Sequence, residues 1–269
     1  MIRHTGKIVF QLADVYFSYP LEKPVLQKVN LSIFKGERVA ILGVNGSGKS
    51  TLLKMLAGLL YPERGSFFAF DTAVTEKSFS DDSFSKSYHR RIGFIFQDAD
   101  VQLFCSTVEE EIAFGPLQLS LPEDQVRQRI NDVIDMLEIE YLRNKTPFKL
   151  SGGEKKKVAF ASILVMNPEV LILDEPTNGL DPRTQRWLVE LLVNLNKAGK
   201  TLITSTHNLE LVQEISDRAI LLDNHEIVAD STTIEILEDI ELLKRVNLVD
   251  DYYHRHAGSK HTHYHTHNY

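Results

Sequence analysis

Along the chain, Ile8 to Phe17 and Gln27 to Phe34 roughly alternate apolar and polar positions, with Tyr19-Pro20 and Pro24 between them. That pattern predicts two antiparallel strands of an opening sheet. Turn chemistry at Lys35-Gly36-Glu37 leads into Val39 to Leu42, a continuous apolar run followed by a glycine-rich loop and a helical pattern over Ser50 to Leu60. Strand, loop and helix in that order make a unit of α/β type. Val170 to Leu173 and Thr201 to Thr204 are short apolar and β-branched runs suited to strands buried on both faces of a parallel sheet, with a helix over Thr184 to Ala198 between them. Val108 to Phe114, Glu123 to Leu137 and Gly153 to Met166 carry helical periodicity, which predicts a mostly helical subdomain at about 98 to 166. A hairpin from Ala219, with Asn224 near its turn, and a helix near Thr233 to Leu243 close the fold. The Ser-, Thr-, Lys- and Asp-rich stretch Thr72 to Ser87 predicts a solvated loop. The expected fold class is α/β: a mixed sheet core with an antiparallel β-subdomain and a helical subdomain. One domain is expected over 1–245, with a flexible His-rich tail over 246–269.

With 269 residues, 43% hydrophobic and 25% charged, the chain buries a large core. No apolar run approaches the roughly 18 residues that span a bilayer, and Met1 to Gly6 lacks a signal peptide's apolar centre, so the expected compartment is the cytoplasm. The single cysteine, Cys105, forms no internal disulfide and reads as a packing residue. A net charge of -7 argues against broad nucleic-acid binding, so any phosphate recognition must be local.

Local phosphate chemistry is what Gly43-Val44-Asn45-Gly46-Ser47-Gly48-Lys49-Ser50-Thr51 offers, matching G-x-x-x-x-G-K-[ST] between a strand and a helix. The glycines let successive N–H groups face a phosphate, the helix start adds its positive end, Lys49 neutralises charge and Ser50 ligates Mg²⁺. A purely structural turn would need neither the lysine nor the hydroxyl pair. Leu171 to Leu173 then ends in Asp174-Glu175, two acids at the end of a buried strand, where charge is costly unless a cation waits there. Mg²⁺ is the expected cation, held through Asp174, while Glu175 polarises the attacking water.

Leu150-Ser151-Gly152-Gly153-Glu154 resembles the LSGGQ signature of ABC ATPases, the P-loop NTPases of ABC type, and the resemblance covers about 7 to 245. Gln97 in Phe96-Gln97-Asp98 resembles the family's Q-loop, Gly179-Leu180-Asp181 its D-loop, and His207 its switch histidine. The resemblance implies that Ser151, Gly152, Gly153 and Glu154 cap the γ-phosphate of an ATP bound to a second subunit, so that two ATP molecules lie in a head-to-tail dimer. It implies further that Gln97 meets Mg²⁺ and the attacking water, that His207 binds the γ-phosphate and positions Glu175, and that Tyr19 stacks on adenine. Phe17 is close enough in sequence that either aromatic suits the core. Two positions depart from the pattern: Glu154 stands where glutamine is usual and Lys157 where arginine is common. Glu154 adds negative charge beside the partner's nucleotide.

The stretch Phe96 to Phe104, with Thr107-Val108-Glu109 and Phe114-Gly115-Pro116, resembles the energy-coupling-factor subgroup of importers, which includes cobalt, nickel and vitamin systems. The implied setting is the cytoplasmic face of a membrane, with Val101, Leu103 and Phe104 receiving a transmembrane coupling subunit. Six of the ten histidines, His254, His256, His261, His263, His265 and His267, fall in the tail, where alternating imidazoles suit transition-metal ions. A non-transport ABC ATPase of translation or DNA repair is the rival class; a second cassette or a long coiled-coil insertion would favour it.

Overall fold

The computed structural model describes residues 6–119 and 121–249. β1 (Ile8–Ser18) and β2 (Pro24–Phe34) pair antiparallel, as the alternation predicts: Phe10, Leu12, Val15 and Phe17 are buried, while Gln11, Ala13 and Asp14 face outward. β3 (Arg38–Leu42) runs into the glycine loop and α1 (Lys49–Leu56). β4 (Arg64–Ala69) and β5 (Thr72–Ala73) extend the first sheet in the order β2-β1-β4-β5. The expected loop at 72–87 is instead partly helical. α2 (Glu76–Phe79) starts at a Thr75–Ser78 capping box, and α3 (Asp82–Arg91) starts where the Asp81 carboxylate accepts from the amides of Ser83 and Phe84. The polar residues that suggest a loop are thus the caps of two short helices.

β6 (Ile92–Ile95), too short for a periodic signal, precedes α4 (Val108–Gln118), α5 (Glu123–Met136) and α6 (Gly152–Leu164), the expected helical part. β7 (Val170–Asp174), α7 (Pro182–Lys197), β8 (Thr201–Thr206), α8 (Leu209–Ile215), β9 (Arg218–Asp223) and β10 (Glu226–Thr232) follow. The expected closing helix is two, α9 (Thr233–Glu238) and α10 (Ile240–Arg245), because Asp239 leaves the helical conformation and caps the second through the Leu242 amide. The main sheet has the order β10-β9-β3-β8-β7-β6, parallel except for β10.

β7 shows why its run is apolar throughout. Val170 and Ile172 pack with the β1–β2 sheet and α1, whereas Leu171 and Leu173 pack with α4 to α7. A strand buried on both faces has no polar side to display. A third cluster joins β3 and β9 to α8, α9 and α10 and takes in Val246 and Leu248, so packed chain runs beyond the expected boundary at 245. Arg218, on β9, bonds Asp230 on β10 and the Ser32 carbonyl on β2, joining the two sheets. No helix among the described residues is long and apolar enough to cross a membrane. The six tail histidines, and the metal binding expected of them, lie outside the described residues.

Candidate nucleotide site

β3, β7 and β8 end side by side, and the parallel register sets Asp174 opposite Ser205. Loops leaving the carboxyl ends of parallel strands form the crevice where such sheets bind ligands. Here that crevice is a cleft of about 290 Å³, lined by Val25, by Asn45, Gly46, Gly48, Lys49, Ser50 and Thr51, and by Gln97, Glu175, Asn178 and His207. The structure therefore brings the phosphate loop together with the three residues expected in catalysis. Gly48 sits at φ 108, and a Cβ there would come within 2.7 Å of the Val25 carbonyl, so no other residue fits the turn without strain.

Lys49 is buried, and its Nζ donates to the carbonyls of Gly43 at 2.8 Å and Val44 at 3.1 Å. Burial lowers its pKa, against the opposing pull of Glu175 and Asp174. Glu175 holds φ 43, a left-handed conformation that is strained for a residue with a side chain and that turns it away from the line of β7. Its Oε1 lies 3.8 Å from Lys49 Nζ and its Oε2 lies 2.9 Å from His207 Nδ1. Neither approach is a hydrogen bond, the first being too long: Glu175 Oε1 and His207 Nδ1 are both buried without a hydrogen-bond partner, as is Ser47 Oγ. Buried polar atoms left open in a cleft are the mark of a site built for something else to complete it.

Asp174 lies behind this row, where its Oδ1 accepts from Ser205 Oγ at 2.6 Å. The same hydroxyl accepts from the Glu175 amide at 2.9 Å. Sequence reasoning missed Ser205, since one serine in an apolar strand carries no signal of its own. The oxygens of Ser50, Gln97 and Asp174 are the hard donors that Mg²⁺ takes, and the open Glu175 Oε1 beside them adds negative charge, so these residues fit the ion. Tyr19 is half-buried at the rim, its hydroxyl 3.3 Å from Thr51 Oγ1 and its ring edge-on to Phe17 at 5.0 Å. Phe17 is the core residue of the pair.

The sequence profile of the ABC transporter family matches residues 26–178. The nickel import ATP-binding protein NikO of Rhodobacter capsulatus is 43% identical over 89% of this chain and 95% of its own length. The energy-coupling factor transporter ATP-binding protein EcfA of Methanothermobacter thermautotrophicus is 40% identical over 89% of this chain and 76% of its own. Among solved structures, cbiO1 of Clostridium perfringens, described as part of the ABC transporter complex cbiONQ, superposes with a TM-score of 0.78 at 34% identity over 90% of this chain and 95% of that one.

The chain belongs to the ABC transporter family.

As an ABC cassette it is an ATP-binding protein of an ATPase family, and the remaining motifs take their places on that footing. Ser151 caps α6: its hydroxyl accepts from the Glu154 amide, while the Glu154 carboxylate accepts from the Ser151 amide at 2.9 Å and hydroxyl at 2.8 Å. Those two donors hold the Glu154 carboxyl below its ordinary range. Ser151 and Gly152 are exposed, and no residue of Ser151 to Glu154 lines the cassette's own cleft. Lys157 stands over the Trp187 ring at 5.1 Å. Past Gln97, Val101 is 70% and Phe104 57% exposed, and Phe104 meets Phe114 edge-on at 4.9 Å. Leu103, expected beside them, is only 2% exposed and belongs to the helical core, because the turn at Ala99–Val101 rolls it inward.

Proposed function

We propose that this chain is the ATP-hydrolysing subunit of a membrane importer of the energy-coupling-factor type, working as one of two cassettes on the cytoplasmic face. The observation that carries this reading is a division within one chain. The cleft holds the phosphate loop, Glu175, His207 and Gln97, while the Ser151 helix start lies outside it, with Ser151 and Gly152 exposed. An anion-binding helix terminus that does not serve its own cleft serves another's. Two copies related head to tail then complete two sites, and a homodimer is favoured because this chain carries every motif.

The residues act in order. Arriving phosphate draws Lys49 from the Gly43 and Val44 carbonyls, and the loop amides from Asn45 to Thr51 take its oxygens. Tyr19 covers the adenine. Ser50, Gln97 and Asp174 would hold Mg²⁺, which when bound would neutralise phosphate charge. Glu175 accepts the proton of the attacking water, and His207 holds Glu175 in place and reaches the γ-phosphate. Ser151, Gly152, Gly153 and Glu154 meet the partner's nucleotide.

Exposed Val101 and Phe104 offer the transmembrane coupling subunit an apolar foothold next to Gln97. For cargo we propose cobalt or nickel ions, supported by the likeness to the nickel import protein and by the six histidines of the tail. In the purified protein, Glu175→Gln is expected to keep ATP binding, lower turnover by about 10²-fold or more, and accumulate an ATP-bound dimer on size exclusion. Lys49→Ala is expected to lose nucleotide affinity. Full turnover in Glu175→Gln sinks the mechanism; failure to co-purify with any membrane protein, with turnover stimulated by ribosomes or DNA, sinks the transport reading. Nickel and cobalt uptake by cells carrying the whole transporter tests the cargo.

A further inference from the structure

Lys156 is 3% exposed, yet among the described residues no carboxylate lies within ion-pair distance of it. Its Nζ donates instead to two successive backbone carbonyls, Phe96 at 3.2 Å and Gln97 at 3.0 Å. Burial brings the ammonium down from 10.5 to about 8, against the opposing pull of the more distant Asp98 and Asp174 carboxylates. A methionine of similar length would fill the same space without that desolvation, so the charge is retained for what it touches.

What it touches is the segment between β6 and α4, and that segment also meets α6 at Lys155 and at Ala159. Lys155 pairs with Asp100 at 2.5 Å. Gln102 donates to the Ala159 carbonyl at 3.0 Å and accepts from the Phe96 amide at 3.3 Å. Among the described residues the segment is therefore tied to α6 through Lys155, Lys156 and Gln102, and of these Lys156 reaches Gln97. Ser151 caps the same helix little more than a turn away from Lys156.

We propose that Lys156 is a positioning residue that fastens the Gln97 backbone to α6, so that the glutamine at this chain's nucleotide and Ser151 at the partner's shift as one body. This rests on the roles given above to Gln97 and Ser151. A helix is stiff over a turn and a half, whereas a loop glutamine with a free backbone could follow its own nucleotide without moving the helix. With the clamp in place, occupancy of one site bears on the other.

Two measurements test it on the full chain. In steady-state ATPase assays, Lys156→Met is expected to lower kcat roughly tenfold with KM for ATP changed less than about twofold. Lys156→Arg, which keeps the donors, is expected to restore most of the loss. Gln97→Ala with Lys156→Met is expected to be no slower than Gln97→Ala alone, since a residue acting through another adds nothing once that other is gone. The second reading uses Trp187, the chain's single tryptophan, which packs edge-on against Phe160 of α6 at 6.0 Å and so senses that helix. Mg²⁺ with ATP is expected to shift its emission in the unmodified protein and in Lys156→Arg but not in Lys156→Met, while a fluorescent ATP analogue binds all three alike. A normal Trp187 response in Lys156→Met overturns the clamp even if Gln97 acts as assigned. A kcat loss that adds to that of Gln97→Ala, or that arginine leaves unrepaired, overturns it as well. Full turnover in Gln97→Ala alone would instead count against the role of the glutamine, and the Trp187 response still decides the link.

Discussion

One hydroxyl sets both acids of the site. Ser205 Oγ donates to Asp174 and accepts from the Glu175 amide, so with the Ser205 carbonyl, which that amide also reaches at 3.2 Å, it holds the Asp174 carboxylate and the strained φ of Glu175 together. Ser205→Ala leaves Asp174 short of a buried donor, and is expected to cost on the order of 1–3 kcal/mol of stability as well as slowing turnover. Thermal melting checks the first and single-turnover ATP hydrolysis the second; an unchanged rate would show that the acids hold their places unaided. At this scale the motif residues were legible in the sequence because phosphate chemistry demands particular side chains at fixed spacing. Ser205 and Asn178 were not, since their part depends on which strand ends lie side by side, and one strand read alone does not reveal that. Leu103 misled for a related reason: a short turn decides which of Val101, Leu103 and Phe104 faces water.

Among elements, the legible ones were those whose length and apolar pattern left one solution. Val39 to Leu42 of β3, Val170 to Leu173 of β7 and Thr201 to Thr204 of β8 are unbroken apolar or β-branched runs because each is buried on both faces, and α7 shows its stripe over 16 residues. β6, only 4 residues long, gave no periodicity to read, and the caps of α2 and α3 look like loop chemistry until the helices behind them are seen. β6 is nevertheless what carries the chain to Gln97, and Gly93 lets it do so: a Cβ there would overlap Ile163 of α6 and crowd Leu171 of β7 and Pro168. Gly93→Ala is expected to destabilise the protein by about 1–3 kcal/mol through overpacking, read as a lower urea midpoint. The loss should be accompanied by weaker coupling of Gln97 to the cleft, because the strand and α6 must part to make room.

For the whole molecule, the fold class was readable, and the phosphate loop, Gln97, Glu175 and His207 do line one cleft, whereas the joining of the two sheets through Arg218 was not readable, because Ser32 is distant from it in sequence. The capping box at Ser151 bears on how two such molecules would meet. A carboxylate already occupies the amide and hydroxyl of Ser151, the groups that the proposed dimer asks to receive a phosphate. In that proposed dimer Glu154 would act as a decoy: the chain's own anion would fill the receptor meant for its partner's ligand, and closure would become an exchange in which ATP displaces a tethered rival. Glu154→Gln weakens that rival by a charge at a helix start, about 0.3–1 kcal/mol, or roughly a two- to fivefold lower ATP concentration for half-maximal dimer in the Glu175→Gln protein. Equal midpoints would show that the decoy yields without resistance. If they differ, the single acid that sets this chain apart from the common signature acts as a threshold, keeping two cassettes apart until nucleotide is plentiful.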